Sequence, residues 1–142
     1  MTGNHTAIPG ATSVELRRDR AEIDALIERV LEDARERGFP GNSLFAIRLA
    51  MEEAITNAFE HGHAGLADAT VRVDYRVDHT SVDVAVEDKG PGFNPDALPD
   101  PTAEENIAKP SGRGVMLMRA YMTEVHFNAA GNRVRLIYRR GV

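Results

Sequence analysis

Glu53, Asn57 and His61 follow one another at intervals of four, so they share one column if Ile47 to His63 is helical. Each residue type suits a different task. A carboxylate can take a proton from an attacking hydroxyl. A neutral amide oxygen can take one position on a magnesium ion whose other ligands are waters and phosphate oxygens. An imidazole can touch phosphate or simply hold the helix end. A polar flank with Gly62 as a helix stop explains the column without chemistry. His61 and His63, with Glu53 or Glu60, also suggest zinc, but no further cluster of ligand residues accompanies them.

Two glycine-rich stretches give the column something to face. In Asp88-Lys89-Gly90-Pro91-Gly92-Phe93, a carboxylate stands at the end of an expected strand. It can accept a hydrogen bond from an exocyclic amine such as adenine's and would repel guanine's oxygen. Gly90 and Gly92 let a flat base approach the backbone, although a plain turn uses the same residues. In Ser111-Gly112-Arg113-Gly114-Val115, glycines and an arginine open an expected helix, where exposed amides can hold phosphate. A glycine-rich hinge reads the same way. Neither stretch is a Walker A loop, and the signatures of ordinary protein kinases are absent.

The elements that must position these residues are legible from period. Residues 1–12 carry Gly3, Pro9 and Gly10 and read as a loose, flexible arm. Ser13 to Arg18 alternates weakly, as an edge strand does. Asp19 to Arg37 predicts an amphipathic helix with Ile23, Leu26, Ile27, Val30, Leu31 and Ala34 inward and Gly38 as its stop. The second helix, capped by Asn42 or Ser43, runs to about His61 with an apolar stripe of Leu44, Ile47, Met51, Ala54, Ile55 and Ala58. Phe45, Leu49 and Phe59 lie off that stripe, which predicts a sheet on one side and the first helix on the other.

Period two then takes over. Val71, Val73, Tyr75 and Val77, a turn at Asp78-His79-Thr80, and Val82, Val84 and Val86 predict an antiparallel hairpin with one buried and one wet face. A second hairpin joins Val125 and Phe127 to Val134, Leu136 and Tyr138 through Ala129-Ala130-Gly131-Asn132. Between the hairpins, Phe93 to Ser111 holds four prolines and no sustained period, a loop long enough to be functional. Val115 to Met122 reads as a short helix. Strand, helix, helix, hairpin, loop, helix, hairpin predicts an α+β two-layer sandwich, with helices on one face of a mixed, mostly antiparallel sheet. Arg72, Arg76, Arg133, Arg135 and Arg139 would share the wet face.

Composition bounds the function. The 142 residues are 42% hydrophobic and 27% charged, as in one ordinary soluble domain over residues 13–142. A net charge of -5 argues against nucleic-acid or anionic-membrane binding. Without cysteine there are no disulfides and no thiol chemistry. No apolar run reaches membrane-spanning length and the first residues lack a signal-peptide pattern, so the cytoplasm is the expected location.

The three motifs together, in this order and with these elements between them, resemble the GHKL ATP-binding superfamily of DNA gyrase, histidine kinases and the large heat-shock chaperones. The resemblance runs from about Ser13 to Arg139. Glu53 to Gly62 resembles the N box, Asp88 to Phe93 the first glycine box, and Gly112 to Met118 the second. A chain of this size with Glu-Ala-x-Thr-Asn-Ala-x-x-His-Gly is most similar to bacterial anti-sigma-factor serine kinases of the RsbW and SpoIIAB type.

That resemblance implies a homodimeric protein that binds Mg2+ and ATP and sequesters a sigma factor. It also implies phosphorylation of a serine or threonine on a small anti-anti-sigma protein of STAS type. Glu53 would then be the general base, Asn57 the magnesium ligand and Asp88 the adenine reader. Gly112 to Val115, with a lid at about 93–111, would enclose the phosphates. Two departures stand out. Gly131-Asn132 stands where the family usually has Gly-Thr, so the hydroxyl that often assists near adenine is absent, though an amide could substitute. Lys109-Pro110 precedes Ser111 where some members have arginine, which leaves Lys109 and Arg113 as alternative cations for the terminal phosphate. A nucleotide-gated binding module without kinase activity is the chief rival, although it has no need of Glu53. A detached histidine-kinase ATPase part fits the Glu53 to Gly62 spacing less well, and no phospho-acceptor helix precedes it.

Overall fold

The computed structural model describes residues 6–62, 70–89 and 110–140, with His61, Gly62 and residues 110–113 described by backbone alone. Among these residues, β1 (Thr12–Arg17) is followed by α1 (Arg20–Glu36) and α2 (Gly41–Gly62). Then come β2 (Thr70–Val77), β3 (Ser81–Glu87), α3 (Pro110–Tyr121), β4 (Glu124–Phe127) and β5 (Arg133–Arg139). The strands pair in the order β1-β2-β3-β5-β4, and every pairing is antiparallel. The expected α+β sandwich is present, with β1 on the edge as its weak alternation predicts.

Helix α1 follows its sequence closely. Ile23, Leu26, Ile27, Val30, Leu31 and Ala34 are all buried. Asp19 caps the start by accepting the Ala21 N–H at 2.9 Å. At the far end Gly38 takes φ +92°, which lets the Phe39 and Gly38 amides fold back onto the carbonyls of Ala34 and Arg35.

Helix α2 begins at Gly41, directly after Pro40, so neither Asn42 nor Ser43 is the expected cap. Ser43 is instead buried, its hydroxyl 2.8 Å from that of Tyr138 on β5. The predicted stripe faces the core, with Ile47 and Met51 fully buried. Off the stripe the three residues part company. Phe59 is buried, Leu49 is half-buried, and Phe45 is 58% exposed with its ring edge-on to Tyr121 of α3. The second flank of α2 meets α3 as well as α1, a neighbour that periodicity cannot reveal.

The sheet's outer face is less wet than its alternation predicts. Asp74 and Arg133 are buried there and paired at 2.8 Å. Ser13 Oγ and Arg72 Nε also donate to Asp74. Burial pushes the Asp74 carboxyl upward, but the hydrogen bonds from Ser13, Arg72 and Arg133 outweigh it and hold the group below its ordinary value. The cover is the segment just before β1. Thr6 is buried, and its carbonyl accepts Arg133 Nε at 3.0 Å and Nη2 at 2.8 Å. Arg135 donates to the Ala7 carbonyl and to Asp83, and Arg139 to Glu124. The five arginines are therefore not one solvated set. Residues 1–5 of the expected arm lie outside the described residues.

Candidate functional site

Four elements meet at one end of the sheet. Asp88 follows the last residue of β3 and is only 9% exposed. Its backbone N–H donates to the Asn132 carbonyl at 2.9 Å, tying β3 to the turn between β4 and β5. That turn is organised by Asn128 and by Gly131, whose φ of +77° needs a residue without Cβ. Ala54, Asn57 and Ala58 of α2 and Met118 of α3 complete the walls. Together they bound an open pocket.

Asn57 is the unusual wall residue. It is 8% exposed, and both Oδ1 and Nδ2 lack a hydrogen-bond partner among the described residues. An unsatisfied buried polar atom costs about 1–3 kcal/mol, so folding alone gives no reason to keep this amide. Gly114 presses directly on it. A Cβ at position 114 would stand 3.1 Å from Asn57 Cγ and closer still to Nδ2. Glycine inside a helix costs about 1 kcal/mol against alanine. Here it admits the neighbouring amide.

Glu53 lies one turn before Asn57 and is half-buried. Burial, then the like charges of Glu52 and Glu60, push its carboxyl above the ordinary glutamate value. A raised pKa makes the ionised form a better proton acceptor. Among the described residues no three His, Cys, Asp or Glu side chains converge on a metal position. An uncommitted amide oxygen nonetheless suits a hard cation that is held mainly by phosphates.

The remaining candidates are placed as follows. Helix α3 starts at Pro110, not at the expected Gly112 to Val115, because proline is favoured in a first helical turn. Gly112 therefore lies in that turn, while Gly114 and Val115 are in the helix interior and Val115 is buried. Arg113 and His61 are helical, but their side chains fall outside the description. Gly90, Gly92, Phe93, Lys109, His63 and residues 93–109 of the expected lid lie outside the described residues. The sequence places Asn132 in the hairpin turn and near adenine but gives no role to Asn128, whose side chain accepts backbone amides three to five residues ahead. The Asn-x-x-Gly-Asn spacing was the available signal.

Among the described residues, no helix is long and apolar enough to cross a membrane. The chain is similar to the anti-sigma F factor of Clostridium beijerinckii, 26% identical over 98 residues, which cover 66% of this chain and 68% of that protein. It is similar also to the anti-sigma F factors of Bacillus thuringiensis and Bacillus mycoides, 33% identical over 85 residues. In both Bacillus cases the match spans 58% of each chain, so this chain covers little more than half the length of those relatives. The profile of the Histidine kinase-like ATPase domain matches residues 16–138, nearly the whole sequence, and the chain belongs to that family of ATP-binding domains.

Proposed function

We propose that this chain is an ATP-dependent serine/threonine-protein kinase that also acts as an anti-sigma factor. It would phosphorylate a small anti-anti-sigma protein and hold a sigma factor in an inactive complex. The observation that carries the reading is the meeting of Asn57 and Asp88 in one pocket, with Glu53 a single helical turn away. The names of the relatives support the regulatory half, and the ATPase family supports the nucleotide.

Each residue has a task that follows from its surroundings. Asp88 accepts a hydrogen bond from the exocyclic amine of the base and so prefers adenine to guanine. Glu53, desolvated and raised in pKa, accepts the proton of the incoming hydroxyl. Asn57 would hold magnesium through Oδ1, and the ion, when bound, neutralises charge on the phosphates. Gly114 lets α3 pass close to Asn57. Catalysis then rests on position and charge, as phosphoryl transfer requires.

Transfer of labelled phosphate from ATP to an anti-anti-sigma protein tests the reading. The parent should transfer to a serine or threonine, and Glu53→Ala should fall at least a hundredfold, the usual scale of general-base loss. If folded Glu53→Ala transfers as fast as the parent, the base is misassigned. ATP binding and sigma-factor capture with no transfer to any hydroxyl would replace the kinase with a nucleotide-gated binding module.

A further inference from the structure

Phe45, Leu49, Glu53 and Asn57 stand at intervals of four in α2, so they form one column along the helix. The column descends from the surface into the site. Phe45 is 58% exposed, Leu49 and Glu53 are half-buried, and Asn57 is a wall of the pocket. At the exposed end the Phe45 ring meets Tyr121 of α3 edge-on, with centroids 6.1 Å apart, and Tyr121 is itself exposed. Two large rings left in water forgo most of the burial that would stabilise the fold, and aromatic side chains of this kind are the usual anchors of protein interfaces. Toward the other end Glu60 is exposed, near enough for its charge to act on Glu53. Among the described residues neither carboxylate has an ion-pair partner.

We infer that this column is the docking strip for the acceptor protein, the one whose serine or threonine Glu53 deprotonates; this rests on the assignment of Glu53 as general base. The acceptor oxygen bonds to the terminal phosphorus of ATP, its proton passes to Glu53, and ADP leaves. A protein that brings its hydroxyl to Glu53 lays the rest of its contact surface along α2. Eight residues of helix separate Phe45 from Glu53, a rise of about 12 Å. The acceptor therefore carries an apolar patch about 12 Å from its hydroxyl, and a lysine or arginine beside that hydroxyl to face Glu60. Apolar at one end and acidic at the other, the strip is not self-complementary. A two-fold axis through its centre would lay the rings of one copy on the unpaired carboxylates of the next, which disfavours a second copy as the occupant.

Initial rates of labelled-phosphate transfer from ATP to the anti-anti-sigma protein, taken over a range of acceptor and ATP concentrations, test it. Phe45 is exposed, so Phe45→Ala should melt near the parent temperature. Its KM for the acceptor should rise about five- to thirtyfold, the loss of one interface anchor. The KM for ATP and the rate at saturating acceptor should not change. Phe45→Leu keeps apolar surface and should recover part of the loss. Glu60→Gln should flatten the rise of the acceptor KM with salt. Glu53→Ala should lose transfer but bind the acceptor in calorimetry as the parent does, whereas Phe45→Ala should bind it more weakly.

If the parent labels the acceptor and Phe45→Ala does so with an unchanged KM, the docking strip is overturned and the kinase reading stands. If the parent labels no serine or threonine, the kinase reading fails and the strip falls with it. The same variant identifies the other occupants. Weakened sigma-factor capture with an unchanged acceptor KM assigns the strip to the sigma factor, and loss of a dimer in sedimentation assigns it to a second copy. Either result overturns the inference.

Discussion

In α1 six apolar positions are buried, Asp19 and Gly38 close the two ends, and the charged residues lie on the outer side. Where α2 meets α3, a buried amide has no partner among the described residues, a half-buried carboxylate is pushed up in pKa, and a glycine sits inside a helix. The first region follows the apolar pattern and capping expected of a stable helix. The second departs from stability in three places: Asn57 lines the pocket with Asp88, Gly114 packs against Asn57, and Glu53 lies one helical turn before it. Stability rules relaxed together in one place mark where the fold serves a ligand.

Substitutions should separate the two regions sharply. Leu31→Ala in α1 removes a fully buried side chain and should cost about 2–5 kcal/mol in urea unfolding. The ATP affinity of the molecules that remain folded should not change. Gly114→Ala gains about 1 kcal/mol in helix propensity but drives a methyl group into Asn57, at about 1–3 kcal/mol for overpacking. Net destabilisation is expected, and the double variant Gly114→Ala/Asn57→Ala should recover part of it in a double-mutant cycle. If the two losses simply add, the close approach has no energetic meaning. Asp19→Ala should cost about 1 kcal/mol as an ordinary lost cap, again without effect on nucleotide.

The smallest effect concerns Glu53. Its folded pKa is raised, so the stability it contributes is complete below its unfolded pKa and is lost as pH rises through the folded value. Glu53→Gln should therefore match the parent in acid and become the more stable of the two toward neutral pH. A melting series across pH measures this. Equal curves at every pH would show that the carboxylate carries no strain.

Much of this architecture was readable before any coordinates. The six inward positions of α1, the turn at Asp78 to Thr80 and both hairpins follow from period and turn chemistry alone, because neighbours in the chain decide them. Asp78 Oδ1 accepts the amides of Thr80 and Ser81 at 2.8 Å, as an aspartate at that position should. What escaped depended on distant partners. Asp74 and Arg133 alternate like solvent-facing residues yet are buried, Arg133 between Asp74 and the Thr6 carbonyl and Asp74 among Ser13, Arg72 and Arg133. Phe45 looks like a second inward residue of α2, yet it pairs with the Tyr121 ring in a T-shaped contact and stays exposed. The start of α3 escapes the pattern because Pro110 suits a proline-rich loop and a first helical turn equally well.

The site shows the same division. Asp88 and the Glu53 to Asn57 column stand out in the sequence by residue type and spacing, and the fold brings Asn57 and Asp88 to one pocket. The contact of Gly114 with Asn57 joins segments that only the folded chain brings together, whereas the amides of Asn128 and Asn132 share a single turn.

The central claim is that Asn57 is kept for a nucleotide and not for the fold. Asn57→Leu has nearly the same shape and no polar atom to leave unsatisfied. Its melting temperature, with and without magnesium and ATP, is the most direct test. Without nucleotide the variant should melt at or above the parent temperature, and the stabilisation that magnesium and ATP confer on the parent should disappear. A variant that melts well below the parent yet keeps the full nucleotide shift would contradict the account.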